Sequence, residues 1–233
     1  MPDFTPLRYA LPLLALLPNP ALADDLLSGE LRLNLAHNSD TSVNFKRAEG
    51  SFQTRFDSPF NAQVDLGMSK FEAVNSTSPF LGLHLIYSPS DDLDIGGFVS
   101  GEDRLGTSFL IYGAELAYRP GPWGLEAYVG QQKPITTGAT GSGTLGGFEA
   151  TFDFGATQQW QAFGGAHFAD LDSGNTDSVY LGLSRDLGRG ASLSARVSQH
   201  DGNATTFGIM ANLTLGDGVT FNRRDWYSAF QGR

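Results

Sequence analysis

The chain lacks cysteine, has a deficit of positive charge and carries no long hydrophobic run after its N-terminus. With no cysteine among 233 residues it forms no disulfide, which suits a chain that crosses an oxidising periplasm unfolded. Fifteen Lys and Arg against 25 Asp and Glu give a formal charge of −10, which argues against a nucleic-acid partner. The same charge argues against electrostatic binding to an anionic membrane surface. Beyond residue 23 no run of about 18 apolar residues occurs, which excludes an ordinary transmembrane helix.

The N-terminus has the pattern of a secretory signal peptide. Arg8 precedes the apolar stretch Tyr9–Leu17, and a proline-rich segment then leads into Ala21-Leu22-Ala23. A charged region, a short apolar region and an A-x-A site together predict cleavage after Ala23. A short N-terminal anchor is the alternative interpretation. We therefore divide the chain into a signal peptide (1–23), a main domain (24–215) and a C-terminal tail (216–233).

Apolar and polar residues alternate in many short segments of the main domain. In Leu31–Leu35 the leucines alternate with Arg32 and Asn34, and the segment Gly146–Phe154 shows the same period of two. Such alternation is typical of strands with one apolar and one polar face. The predicted strands are Gly29–His37, Gly50–Asp57, Asn61–Lys70, Phe80–Tyr87, Leu93–Gly101, Ser108–Arg119, Trp123–Gln131, Thr144–Phe154, Gln158–Ala169, Ser178–Asp186, Ala191–Gln199 and Thr205–Leu215.

The connectors between these strands alternate between tight and longer segments. Tight, turn-forming connectors such as Pro120-Gly121-Pro122 follow the even-numbered strands. Longer polar connectors, such as Lys133–Gly143 and Asp170–Asp177, follow the odd-numbered strands. Short periplasmic turns and longer outer loops are typical of an all-β, up-and-down antiparallel transmembrane barrel, which we predict with about twelve strands. A soluble β-sandwich is the alternative fold.

One hairpin resembles the closing strands of the general porins of Gram-negative bacteria. In Tyr180–Val197 an apolar strand leads through the turn Leu187–Ser192 into a second alternating strand, and Ile209–Leu215 follows. The resemblance implies a bacterial outer-membrane location, contact with outer-membrane lipid and insertion by the barrel-assembly machinery. General porins have sixteen strands and end on an aromatic residue, whereas more chain follows Phe230 here. The tail could extend the last strand, lie at the periplasmic interface or fold into the barrel.

If the apolar face meets lipid, the polar face lines the lumen and carries an excess of carboxylates. The carboxylates assigned to the lumen are Glu30, Asp57, Asp65, Asp94, Glu115, Glu126, Glu149 and Asp153, and the guanidiniums are Arg32, Arg55, Arg119 and Arg196. An acidic aqueous lumen favours cations. The predicted pore-lining residues are Arg32, Arg55, Asp65, Glu115, Glu126, Glu149, Asp153 and Arg196. A lumen filled by paired charges, without conduction, is the alternative.

The function predicted from the sequence is passive diffusion of small hydrophilic solutes, with a preference for cations. A non-conducting structural or loop-binding barrel is one alternative. An outer-membrane lipid hydrolase is the other, and it would use Ser198 and His200, two residues apart on one face of a strand. No third residue that would orient this pair is evident from the spacing. We therefore predict no enzyme activity, no catalytic or metal-binding residue and no cofactor.

Overall fold

The computed structural model describes residues 27–40, 42–56, 58–71, 76–155, 157–201, 204–222 and 224. Within these ranges the chain forms a closed barrel of twelve antiparallel strands, in which each strand pairs with the next and the last pairs with the first. The predicted fold class is confirmed, whereas the predicted signal peptide and Asp57 lie outside the described residues. The strands are β1 Leu27–Asn38, β2 Val43–Arg55, β3 Phe60–Phe71, β4 Ser76–Ser90, β5 Leu93–Arg104, β6 Thr107–Tyr118, β7 Trp123–Pro134, β8 Gly143–Phe154, β9 Trp160–Leu171, β10 Gly174–Gly188, β11 Ala191–His200 and β12 Thr205–Leu215.

The outer surface of the barrel is apolar, and the predicted alternation accounts for it. Leu33 and Leu35 of β1 are more than half exposed, whereas Asn34 between them is buried in the lumen. Leucine, valine, isoleucine and phenylalanine side chains repeat this pattern around the barrel. A closed barrel with an apolar exterior is the arrangement that crosses a lipid bilayer with strands, because closure pairs every backbone group. No helix among the described residues is long and apolar enough to cross a membrane.

The strict alternation of connector length predicted from the sequence is wrong at the outer end. Only Leu105-Gly106 and Asp172-Ser173 connect β5 to β6 and β9 to β10. The predicted loop Asp170–Asp177 is therefore mostly strand, with Asn175 opposite Asp170 in the ladder. Polar residues on both faces resemble a loop in sequence, yet their backbones continue the strand pairing beyond the apolar belt. The connector between β7 and β8, residues 135–142, does remain a loop.

The lumen has an apolar part that the alternation did not predict. We call it the apolar wall, and it contains the side chains Phe98, Ile111, Tyr128, Leu145, Ala169 and Leu171 from β5 to β9. These strands carry apolar residues at some positions on both faces, so that one side of the lumen is packed by side-chain contact. The same strands carry polar lumenal residues such as Glu115, Glu126 and Glu149 nearer the end of the barrel where β1 begins, and the site described next lies there.

Candidate channel interior

The C-terminal tail turns back into the barrel directly after β12. Gly216 and Gly218 both have positive φ, +60° and +75°, a region that glycine enters without steric cost. The backbone N–H of Gly218 donates to the carbonyl of Leu215 at 3.2 Å and closes the turn. The tail residues that the structure describes, 216–222 and 224, follow this turn. The tail thereby enters the lumen at the end where β1 begins and β12 ends, which we call the periplasmic end.

Side-chain amides of the barrel wall hold the backbone of the tail. Gln53 Oε1 accepts a hydrogen bond from the Thr220 N–H at 2.7 Å. Gln63 bonds Phe221 twice: its Oε1 accepts from the Phe221 N–H at 3.1 Å and its Nε2 donates to the Phe221 carbonyl at 2.8 Å. Both glutamines are fully buried. The tail therefore pairs with the wall much as an added strand would, although through side chains.

Phe221 anchors the tail in an apolar pocket. Its ring is fully buried in a cluster with Ile86 and Ala117. Gly96 forms the floor of the pocket, because a Cβ placed there would lie 2.7 Å from the Phe221 ring. The imidazole of His84 stacks on the opposite side, with ring centroids 6.2 Å apart. A glycine on β5 thus provides the space that the aromatic side chain of the tail occupies.

A chain of buried ionic contacts continues from this pocket. His84 Nε2 lies 2.9 Å from Asp65 Oδ2, and His84 Nδ1 lies 2.6 Å from Glu115 Oε1. Glu115 Oε2 accepts a hydrogen bond from Arg224 Nε at 2.9 Å, and Arg224 also donates to Glu126. The contacts join β3, β4, β6 and β7 to the tail. Such charges are stable in a buried position only when they are paired in this way.

Two cavities remain beside the tail in the described part of the barrel. The upper cavity, about 250 Å³, reaches towards Arg196 and Tyr180, and the lower cavity, about 280 Å³, reaches the periplasmic turn at Gly121. Five residues border both cavities, and we call them the waist: Arg32, Glu126, Gln161, Glu149 and Asn222. Arg32 donates to Asn222 Oδ1 at 2.9 Å, and the backbone N–H of Asn222 donates to Glu126 at 2.9 Å. The tail therefore supplies part of the lining that the two cavities share.

The structure places the eight predicted pore-lining residues in three settings. Arg32, Glu126, Glu149, Asp153 and Arg196 line the cavities. Asp65 and Glu115 belong to the ionic contacts around His84. Arg55 lies at the periplasmic mouth, where it contacts Asp217 of the tail at 2.6 Å. Whether any of them lines a conducting path stays a prediction.

Several lumenal charges escaped the sequence reasoning. The ion pairs Arg47–Glu49 and Arg104–Glu102 lie on parts of β2 and β5 that the sequence assigned to loops, and Arg224 is in the tail. Burial alternates through Phe45, Arg47 and Glu49 in the structure, but the residues of this stretch do not alternate between apolar and polar, so the sequence carried no signal for the first pair. For the tail, the Gly-Asp-Gly sequence after β12 indicated a sharp turn. Nothing in the sequence indicated that the turn leads into the lumen.

The two residues considered for lipid hydrolysis lie on the lumenal face of β11. Ser198 and His200 are both buried. The Ser198 hydroxyl accepts a hydrogen bond from Arg196 Nε at 3.0 Å. A membrane lipid approaches the barrel from outside, so this position does not present the serine to it.

The fold is that of the porin-type barrels of the bacterial outer membrane. A structure of the KdgM porin matches with a TM-score of 0.62 at 8% identity, over 83% of this chain and 99% of that chain. The NanC porin matches with a TM-score of 0.64 at 6% identity, over 79% of this chain and 100% of that chain. A KdgM porin in complex with disordered oligogalacturonate gives a TM-score of 0.60 at 9% identity, over 84% and 99%. No protein-family model and no curated protein sequence matches this chain.

Proposed function

We propose that this chain is an outer-membrane channel through which small hydrophilic solutes and ions diffuse. The observation that carries the proposal is the waist, where two polar cavities meet inside a barrel with an apolar exterior. Arg32 and Glu149 on opposite sides of the waist give the path the charged lining of a porin-type lumen. Outer-membrane lipid surrounds the barrel in this proposal, and the barrel-assembly machinery inserts it.

We further propose that the channel prefers cations. The waist contains two carboxylates, Glu126 and Glu149, and one guanidinium, Arg32. Asp153 adds a carboxylate in the lower cavity, which Arg119 borders as well as Arg32. Oligogalacturonate, which the KdgM porin binds, is a polyanion. A waist with this charge favours small cations and neutral solutes over such a substrate.

Planar-bilayer recording of the refolded full chain under a salt gradient tests the proposal. We expect discrete conductance steps and a reversal potential shifted towards the cation equilibrium potential. Glu149→Gln removes one charge at the waist and should lower the cation-to-anion permeability ratio about 25-fold, because one unit charge at about 4 Å in water changes the weights of the cation and the anion about fivefold in opposite directions. Asp186→Asn, at an exposed position near a periplasmic turn, is the matched control and should change nothing. Anion selectivity of the unmodified channel would contradict the cation preference.

A non-conducting barrel is the second candidate, and one observation favours it. Near the outer end, lumenal side chains on the side of β1 and β10 to β12 are almost completely buried: Asn38, Ser178, Ser198, His200 and Thr206. Together with the apolar wall they fill the lumen above the upper cavity. A refolded barrel that remains silent under all voltages would support this candidate.

A further inference from the structure

The structure points to Arg224 as the residue that sets the charge selectivity of this path. This inference rests on the proposed channel function and assigns the selectivity to the tail as well as to the barrel wall. Arg224 borders the upper cavity, next to Glu126 and Tyr128. It follows Asn222 of the waist by two residues, and its side chain borders the upper cavity beside the waist.

The guanidinium pairs with Glu126, a carboxylate of the lining, and with the buried carboxylate of Glu115. Arg224 Nε donates to Glu115 at 2.9 Å, and its Nη2 donates to Glu126. Its guanidinium carbon lies 4.5 Å from the centre of the Tyr128 ring, which fixes the plane of the group. Both carboxylates come from the wall, on β6 and β7, whereas the cation comes from the tail. The net charge near the waist therefore depends on where the tail lies.

A neutral residue at position 224 tests whether the net charge near the waist depends on the tail. Without the guanidinium, Glu126 keeps its place on β7 and retains only Asn222 among the tail contacts described above. The path gains one effective negative charge beside the waist. By Coulomb's law, one unit charge at about 4 Å changes the weight of a permeating ion about fivefold in a water-like medium.

Reversal potentials of full-length variants in planar bilayers test the inference. Arg224→Gln should raise the cation-to-anion permeability ratio about 25-fold, because the weights of the cation and the anion change about fivefold in opposite directions, whereas Arg224→Lys, which keeps the charge, should stay within twofold of the unmodified channel. Arg185→Gln is the matched control, because Arg185 is exposed beside the ring of Trp160 and borders neither cavity. It should leave the ratio within twofold of the unmodified channel.

A double variant separates the charge of Arg224 from its part in holding the tail. In Arg224→Gln with Glu126→Gln the added negative charge is removed, so the permeability ratio should return towards that of the unmodified channel. If the double variant keeps the ratio of the single variant, Arg224 acts only by anchoring the tail and the inference is overturned. An unchanged ratio in Arg224→Gln overturns it as well. If every variant and the unmodified chain are silent although a heat-dependent gel shift shows folded barrel, the proposed channel function itself has failed.

Discussion

The outer part and the periplasmic part of the lumen differ in how they are filled. From the middle of β5 to β9 towards their outer ends, the apolar wall packs Phe98, Ile111 and Leu145 against one another, and the ring of Tyr128 forms its border with the upper cavity. Nearer the periplasmic end, charged side chains such as Arg32 of β1 and Glu126 of β7 border both cavities. Apolar side chains inside a barrel pack together and exclude water, whereas charged side chains need water or polar partners. The proposed path therefore depends on the charged lining.

The tail occupies the periplasmic end of the lumen through both kinds of contact, apolar and polar. Phe221 enters an apolar pocket with Ile86 and Ala117, whereas Asn222 and Arg224 bond the carboxylates Glu126 and Glu115 of the barrel. The anchor is therefore apolar and the lining that it positions is polar. Changes to the anchor and changes to the lining should then have different consequences.

Phe221→Ala should have the largest of the predicted effects, a rise on the order of 100-fold in the hydrogen-exchange rates of the tail amides. Deleting a buried phenylalanine side chain costs about 3 kcal/mol, which corresponds to about 100-fold in an opening equilibrium. Hydrogen–deuterium exchange should show the amides of Thr220 and Phe221, which bond Gln53 and Gln63, exchanging faster by that factor. Phe207→Ala, on the lipid-facing surface, is the control. Equal protection of the tail in both variants would mean that Phe221 does not anchor it.

Ile111→Ala should destabilise the barrel without opening a path. Ile111 is almost fully buried in the apolar wall, so truncation leaves a cavity and costs about 2–4 kcal/mol in the free energy of unfolding. Ile95→Ala on the neighbouring β5 faces lipid and should cost less, because lipid chains fill the space. Urea unfolding in vesicles compares the two, and planar-bilayer recording should show the conductance of Ile111→Ala unchanged. A clear rise in conductance would show that the apolar wall, and not the tail, limits the path.

The sequence predicted the barrel well because one physical rule acts along every strand. Alternating side chains must face lipid or lumen, so that Leu33 and Asn34 are assigned by their chemistry alone. The same rule placed Arg32, Glu126 and Glu149 inside, and they meet at the waist. It misjudged the outer ends of the strands, where polar residues on both faces hid the continued pairing of β9 with β10.

The lumen itself could not be predicted, because its contents depend on distances across the barrel. Arg47 and Glu49 pair on a part of β2 that the sequence assigned to a loop. The position of the tail depends on a pocket whose floor is Gly96, about 125 residues earlier in the chain. No local pattern connects that glycine with Phe221. Composition likewise showed an excess of carboxylates but not the guanidinium of Arg224 beside them.

The central claim is that the tail narrows the path. Gly96→Val tests this claim most directly, because it fills the pocket that holds Phe221 and leaves the sequence of the tail unchanged. A side chain at this position collides with the ring of Phe221 and with Glu115, which bonds Arg224 of the tail, whereas Gly97→Val, which points to lipid, meets only an ordinary contact at 3.7 Å. Single-channel recording of both full-length variants makes the comparison. The account predicts at least a twofold larger conductance for Gly96→Val than for Gly97→Val and the unmodified chain. Equal conductance in all three, with folded barrel in each, would contradict it.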